Sequence, residues 1–508
     1  MTTATKIPQE ISERESSIRI RELLRRARGG AVLVIGGGVT GTAVSTLLAQ
    51  AEYRVSLVDE GGLSEASSLA MRELGVGVTE NFNCAIGSLP EKGRFQFCVL
   101  SPGVSLHSPI ATLVRRQEIP LVSEIDLAVA YLGMPKVAVT GTNGKTTTVS
   151  LIREMLVSSG IAAESVGNIG RPLVSLIDPS LLHRPEHAHE YAESPLLVCE
   201  VSSYQLESAV DFTPQIGVWL NIDDDHLERH GSLEQYLATK GRIFSGQSAE
   251  SDWSLVWADD PRASAMMKFA RGRYFPFGIL TPEREGLKDG CFIDDGTGTI
   301  VLKMDGLNEH YSLKDCRLIG KHNRINLSAA VAASRLAGAT VLGIRQAIAS
   351  FHPLPHRVEL VGERRGVLFI NDSKGTNVSA ACAALETVRD EYPKSKVVLL
   401  LGGQKKEGSF RPLLEQMSNS IRHLVCFGGS ADLIREELIA ESSARRLPLA
   451  VKLPTITRER TLGDAVATAF RVAQSGDVVL LSPACSSFDA YRNYVERGED
   501  FRRRVLEL

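Results

Sequence analysis

The run Val137-Ala138-Val139-Thr140 is apolar and β-branched, it breaks into Gly141-Thr142-Asn143-Gly144-Lys145-Thr146-Thr147, and apolar residues return at helical spacing from Val149 to Leu156. Such a pattern leaves little freedom. A buried strand feeds a tight turn, and a helix leaves the turn with its N-terminus facing back at it. Backbone N–H groups of the turn then point at an anion, Lys145 reaches its outer phosphates, and Thr146 offers a hydroxyl to a magnesium ion. The common form of this loop has a glycine where Val139 stands, so GTNGKT is a shortened variant. The fold expected around it is α/β with mainly parallel strands.

A second turn of this kind comes earlier. Ala31 to Ile35 reads as a buried strand, Gly36 to Gly41 satisfies G-x-G-x-x-G, and the next strand, Arg54 to Val58, ends in Asp59. Read alone this is a dinucleotide fingerprint, which leaves an NAD-dependent oxidoreductase open, but the same turn serves any ligand with phosphates on a helix N-terminus. Phe97 to Leu100 then opens into Ser101-Pro102-Gly103, and a first domain of βα units ends near Pro135. Beyond the phosphate loop, Val166 to Gly170 forms a turn and the polar stretch Asp178 to Ser194 reads as a surface excursion. Leu196 to Val201 carries Glu200 to a strand end, a position for a magnesium ligand or a water-positioning group. Ile216 to Leu220 delivers Asn221-Ile222-Asp223-Asp224-Asp225-His226, where three carboxylates favour a metal or catalytic duty for His226. Lys240 reads from spacing alone as a helix-surface lysine.

In the last third, Lys321 to Asn326 precedes an Ala-rich helix, and the prolines of Phe351 to Arg357 mark a linker. Three apolar strands, Val367 to Ile370, Val397 to Leu401 and Val478 to Leu481, each stop at a polar cluster: NDSKGTN, GGQKK and SPACSS. No acid/base triad lies among them. Cys485 has no histidine nearby in a recognisable pattern and reads as a small buried thiol.

Charge and cysteine usage exclude several classes. Lys plus Arg (57) nearly balances Asp plus Glu (60), so no global field would hold nucleic acid or anionic lipid. The run Arg19, Arg21, Arg25, Arg26, Arg28 alternates with Ile18, Ile20, Leu23 and Leu24 and reads as a short amphipathic helix in a solvated leader. The 8 cysteines show neither a C-x-x-C pair nor a zinc spacing, which fits a reduced cytosol. No run approaches the ~18 apolar residues of a membrane span.

Taken together, GTNGKTTT, the Glu of CEVSSYQLE, NIDDDHLERH, YLATKGRIF, GKHNRIN, LPHRVE, NDSKGTN, LLLGG and LLSPACSSFD follow in this order from Val32 onward, and the combination resembles the Mur ligase family. NDSKGTN and SPACSSFD, with GGGVTG and SPG in the first domain, are most similar to the branch that adds D-glutamate. The resemblance implies three α/β domains after a polar leader over 1–30. These are a Rossmann-like UDP-sugar-binding domain over 31–135, a central P-loop ATPase domain with a mainly parallel sheet over 136–355, and a Rossmann-like C-terminal domain over 356–508 for amino acid and nucleotide. It implies a cytoplasmic, ATP- and Mg²⁺-dependent ligase of peptidoglycan precursor synthesis. ATP would phosphorylate the free carboxylate of UDP-N-acetylmuramoyl-L-alanine, the amine of D-glutamate would attack the acyl phosphate, and ADP and phosphate would leave. Expected partners are these small molecules alone, with no nucleic acid, no membrane span and a monomeric chain.

Carried over position by position, Gly141 to Thr147 would cradle ATP, with Lys145 and Thr146 on the phosphates and a magnesium ion, Glu200 on that metal, His226 near a second magnesium and Lys240 as a further metal ligand. The resemblance makes Lys240 a lysine carbamylated by CO₂, against the reading from spacing. Asn326, Arg357, Asp372 and Lys374 match positions around the nucleotide, and Thr376, Lys406, Ser487, Phe488 and Tyr494 match positions around D-glutamate. Val39, Thr40, Asp59, Ser101, Gly103, Asn168 and Ser202 match contacts to the UDP-sugar. The chain departs from the family in Glu60-Gly61 after Asp59, in Tyr494 where Phe is familiar, and in the pair Lys405-Lys406, either of which answers to the lysine of the amino-acid pocket.

Overall fold

The computed structural model describes residues 15–83, 93–133, 136–184, 195–210, 212–223, 227–405, 409–417, 420–443 and 453–508. These form three sheets. The first contains β1 (Ala31–Ile35), β2 (Arg54–Val58), β3 (Gly77–Thr79), β4 (Cys98–Leu100) and β5 (Leu121–Ser123), all parallel, in the order β3-β2-β1-β4-β5. The second contains β6 (Val137–Thr140), β7 (Ala163–Gly167), β8 (Leu196–Glu200), β9 (Ile216–Trp219), β10 (Trp253–Trp257), β11 (Arg273–Ile279), β12 (Gly290–Asp294), β13 (Thr299–Met304) and β14 (Leu307–Ser312). Its order is β14-β13-β12-β11-β10-β9-β6-β8-β7. The third contains β15 (Glu359–Arg364), β16 (Val367–Asn371), β17 (Val397–Gly402), β18 (Ile421–Phe427), β19 (Thr455–Glu459) and β20 (Val478–Leu481), ordered β15-β16-β20-β17-β18-β19.

The strands form where the chain is apolar without interruption. Every residue of β6, β17 and β20 is buried, as expected of parallel strands covered on both faces. Sequence-read strand ends agree with the observed ones to within about one residue. The antiparallel edges, β12-β13-β14 and β15 against β16, were not expected; they join strands through short turns instead of helices.

The chain divides into two compact bodies. One carries the first two sheets and takes described residues of Met1–Ile222, Arg229–Ser312 and Asn326–Ala347; the other carries the third sheet and takes those of Asp223–Glu228, Leu313–Ile325 and Ile348–Leu508. One apolar core runs through the first body from Val32, Val34 and Tyr131 to Trp219, Tyr236 and Phe244. No helix among the described residues is long and apolar enough to cross a membrane.

Two expectations need correction in this body. The Arg-rich leader is not solvated where it is described: Glu15–Arg26 is a helix with Leu24 fully buried, Arg21 donates to the Ala130 carbonyl at 3.0 Å, and the Tyr53 hydroxyl donates to the Leu24 carbonyl at 2.7 Å. Its other arginines stay outside, Arg25 and Arg26 pairing with Glu22, so one face is left apolar and docks. The stretch from Asp178 is likewise no excursion over its described part. Pro179–His183 is a 3₁₀ turn with Leu182 buried and the His183 ring bonded to the Ala51 carbonyl at 2.8 Å, while 185–194 lie outside the described residues, as do 1–14 and Pro135.

In the second body, Phe351 to Arg357 has neither helix nor strand. The helix expected after Asn326 begins at Lys321, so the polar segment supplies its first turns instead of preceding it.

Candidate active site

The phosphate loop is held from several sides within the first body. Gly144 caps the Lys145–Ser158 helix in the left-handed region at φ 86°, and a Cβ there would meet Asn326 Oδ1 at 2.3 Å. Asn221, the second residue after β9, accepts the N–H groups of Thr142 and Asn143 on its Oδ1 at 3.0 and 2.9 Å and donates back to the Asn143 carbonyl at 3.1 Å. Lys145 Nζ folds over the loop, donating to the Gly141 and Thr142 carbonyls at 2.8 Å each. Lys240 reaches the same turn from the Leu233–Gly241 helix, its Nζ donating to the Gly141 carbonyl at 2.9 Å and lying 4.6 Å from the centre of the Tyr236 ring. It is 1% exposed, which overturns the surface reading drawn from spacing. Tyr236 and Lys240 are four apart and share a helix face, the signal that spacing did hold.

Glu200 ends β8 beside the loop. Thr146 Oγ1 donates to its Oε2 at 2.8 Å and Asn168 Nδ2 to its Oε1 at 2.9 Å, so the carboxylate is buried but doubly hydrogen-bonded. A hydroxyl and a carboxylate at this separation are hard oxygen donors of the kind magnesium takes when phosphates and water complete its shell. The donor set therefore fits that ion. The Lys240 ammonium, donating to the Gly141 carbonyl, has no lone pair to offer that ion. His226 lies outside the described residues.

Asn168 also faces a cavity of about 450 Å³. Val39, Thr40, Asp59, Ser101, Gly103, Asn168 and Ser202, scattered over more than 160 positions of sequence, all line it. The glycine turn after β1 lets strand and helix approach, since a Cβ on Gly41 would fall 1.7 Å from the Gly36 carbonyl oxygen. Ser101 Oγ donates to that carbonyl at 2.8 Å. Asp59 accepts from the N–H groups of Gly37 at 2.6 Å and Gly61 at 2.8 Å, so its carboxylate serves the turn itself. Ser202 caps the Ser203–Ser208 helix in a capping box with Gln205, and Tyr204 and Gln205 complete that wall.

The second body gathers polar groups at the ends of β16, β17 and β20. Asp372 is buried, accepts from Ser482 Oγ at 2.6 Å and from the Val358 N–H at 3.3 Å, and burial pushes its pKa up to about 7. Lys374 Nζ lies 4.1 Å from the centre of the Tyr494 ring. Arg357 is half-buried, and its charge adds to burial in pushing His322 down to about 4. Arg497, fully buried, ties the three strand ends together: Nε donates to Ser373 Oγ at 3.0 Å, Nη2 to the Ser373 carbonyl at 2.8 Å, and Nη1 to the Cys485, Ser486 and Gly402 carbonyls at 3.1, 3.2 and 3.4 Å. Thr376 is half-buried, Ser487 buried and Phe488 exposed on these loops. The Cys485 thiol is buried and pushed up to about 12, the inert behaviour read from the sequence. Lys405 pairs with Glu437, and Lys406 lies outside the described residues.

Comparison with known proteins gives this arrangement a context. Residues 139–334 match the Mur ligase middle domain and residues 356–485 the Mur ligase, glutamate ligase domain. The UDP-N-acetylmuramoylalanine–D-glutamate ligase of Geotalea daltonii is 35% identical over 486 residues, which cover 95% of this chain and 98% of that protein. The enzyme of the same name from Pelotomaculum thermopropionicum is 37% identical over 480 residues, 94% of this chain and 97% of its own. This chain belongs to the Mur ligase family.

As a Mur ligase it is an ATP-dependent, ADP-forming amino-acid ligase. Solved structures share its fold at low identity. The UDP-N-acetylmuramate-alanine ligase of Thermotoga maritima aligns over 94% of this chain and 99% of its own at 18% identity with a TM-score of 0.56, and MurF from Acinetobacter baumannii over 95% and 98% at 14% with a TM-score of 0.56. Reading the sequence of this Mur ligase missed Asn221, a carboxamide at a strand end given no role there, and the wall residues Tyr204 and Gln205.

Proposed function

We propose that this Mur ligase joins D-glutamate to UDP-N-acetylmuramoyl-L-alanine through an acyl phosphate, in the cytoplasm, as a step of peptidoglycan precursor synthesis. The observation that carries the reading is the cavity of about 450 Å³ adjoining the phosphate loop through Asn168, whose other face binds Glu200. An acceptor lying there has its end directed at the group that would hold the triphosphate. The names of the relatives supply the acceptor and the amino acid.

In this reading, residues 31–135 hold the UDP-sugar with Val39, Thr40, Asp59, Ser101 and Gly103, and Asn168 and Ser202 of the following domain add to them. Residues 136–355 hold ATP on Gly141 to Thr147 with Asn326. Residues 356–508 add Arg357, Asp372 and Lys374 for the nucleotide and Thr376, Lys406, Ser487, Phe488 and Tyr494 for D-glutamate, in a chain that acts as a monomer. The pairing of Lys405 with Glu437 supports Lys406 as the lysine for the amino-acid carboxylate.

A carboxylate is a poor electrophile, and phosphorylation converts it to an acyl group with a good leaving group. Lys145 would leave its two loop carbonyls and neutralise the transferring phosphoryl oxygens. Thr146 and Glu200 would hold one magnesium ion and His226 a second, and these ions when bound would offset phosphate charge. Lys240 would join them as a carbamate, which would turn a cation into a carboxylate-like ligand and keep an N–H for the Gly141 carbonyl. The amine of D-glutamate then attacks the acyl carbon, and phosphate leaves with one oxygen of the former carboxylate.

The test is phosphate release from ATP with Mg²⁺, UDP-N-acetylmuramoyl-L-alanine and either D- or L-glutamate. Turnover with the D-isomer alone is expected. Turnover with another amino acid in place of D-glutamate would reject the assignment.

A further inference from the structure

Arg229 was read only as part of NIDDDHLERH, and it is absent from the lining of the cavity, yet it touches two of its walls. Its Nη1 donates to the Gly103 carbonyl at 2.9 Å and its Nη2 to the Val104 carbonyl at 3.1 Å, on the turn after β4. Its Nε donates to Glu207 Oε2 at 2.8 Å, on the Ser203–Ser208 helix, and its guanidinium carbon stands 4.4 Å from the centre of the Tyr204 ring. Both side chains of the ion pair are nearly covered, at 10% and 12% exposure, so solvent screens it little. The turn itself is fixed on its far side by Ser101 Oγ on the Gly36 carbonyl.

A planar fork sends fixed donors from three nitrogens to two consecutive carbonyls and a carboxylate on another element, whereas an ammonium gathers its three donors on one atom. Resting on the reading that this cavity takes the UDP-sugar, we propose that Arg229 is a positioning residue that sets the gap between the Ser101–Val104 turn and the Ser203–Ser208 helix, and thereby the affinity for the acceptor. It touches no reacting atom, so its loss acts on acceptor binding and leaves the chemical step intact.

The test is calorimetric titration and steady-state kinetics of R229M and R229K beside the wild type, with UDP-N-acetylmuramoyl-L-alanine and with a non-hydrolysable ATP analogue. R229M, of similar length without donors, is expected to weaken the acceptor roughly 30-fold, the scale of losing charge-assisted bonds, with KM rising in step, kcat at saturating acceptor unchanged and the ATP analogue bound within about twofold. R229K, which keeps the charge and one contact, is expected midway and serves if R229M fails to fold. Acceptor affinity unchanged in R229K and R229M, or acceptor and nucleotide weakened together, overturns the proposal. Failure of the wild type to bind the acceptor while binding nucleotide rejects the reading of the cavity instead.

Discussion

The two glycine-rich turns of the first body leave strands of similar apolar character and enter helices of 12 and 14 residues, but the groups that meet their N–H donors differ in charge. At Gly36 to Gly41 the first inward N–H, that of Gly37, already meets a carboxylate, Asp59. At Gly141 to Lys145 the corresponding N–H groups meet the neutral carboxamide of Asn221, while Lys145 directs its ammonium group at the turn. A unit charge about 4 Å away is worth about 4 kcal/mol at an effective dielectric constant of 20. That is enough to decide where a polyphosphate settles. Glycine spacing permits close approach of an anion, and the groups contributed by neighbouring strands and helices choose which turn receives the greater negative charge.

Substitutions at the two turns can break this contrast. Lys145→Ala should have the largest effect, lowering kcat by roughly a thousandfold or more because the transferring group loses its fixed cation, as read by phosphate release. Lys240→Ala should lower it by roughly a hundredfold and be partly restored by a short carboxylate such as formate; restoration by methylamine instead would mean the free ammonium is the working form. Asn221→Asp places beside the phosphate loop the charge that Asp59 places beside the other turn. The KM for ATP should rise about tenfold, and an unchanged value would show that the carboxamide does not set the sign. Asp59→Asn should act least, shifting the KM for the UDP-sugar by less than about fivefold and leaving that for ATP alone, because a carboxamide oxygen still accepts one of the two N–H groups of Gly37 and Gly61.

How much could be read in advance follows from the range of the interactions involved. β1, β6, β8, β17 and β20 were legible because buried parallel strands are continuous apolar runs, and the loop after β6 because strand, glycine and lysine are adjacent in sequence. That the cavity residues, from Val39 to Ser202, belong together was legible only through resemblance, since no local pattern links the ends of five strands. The roles of Asn221 and Arg229 were not legible. A polar residue after a strand gives no sign of which loop it will hold, and Arg229 finds Gly103 only once two sheets share a core. The docking of Glu15–Arg26 was hidden for the same reason: its arginines dominate the composition, whereas Leu24 and its partner Tyr53 decide the packing.

The account turns on a carboxylate being phosphorylated by the triphosphate that Lys145 grips. Synthesis of the product from acceptor labelled with ¹⁸O in its free carboxylate tests this directly, with the released phosphate read by mass spectrometry. One labelled oxygen per phosphate is expected, because the bond from that oxygen to phosphorus forms in the first step and its bond to carbon breaks in the second. Unlabelled phosphate released at the same rate as product would contradict it.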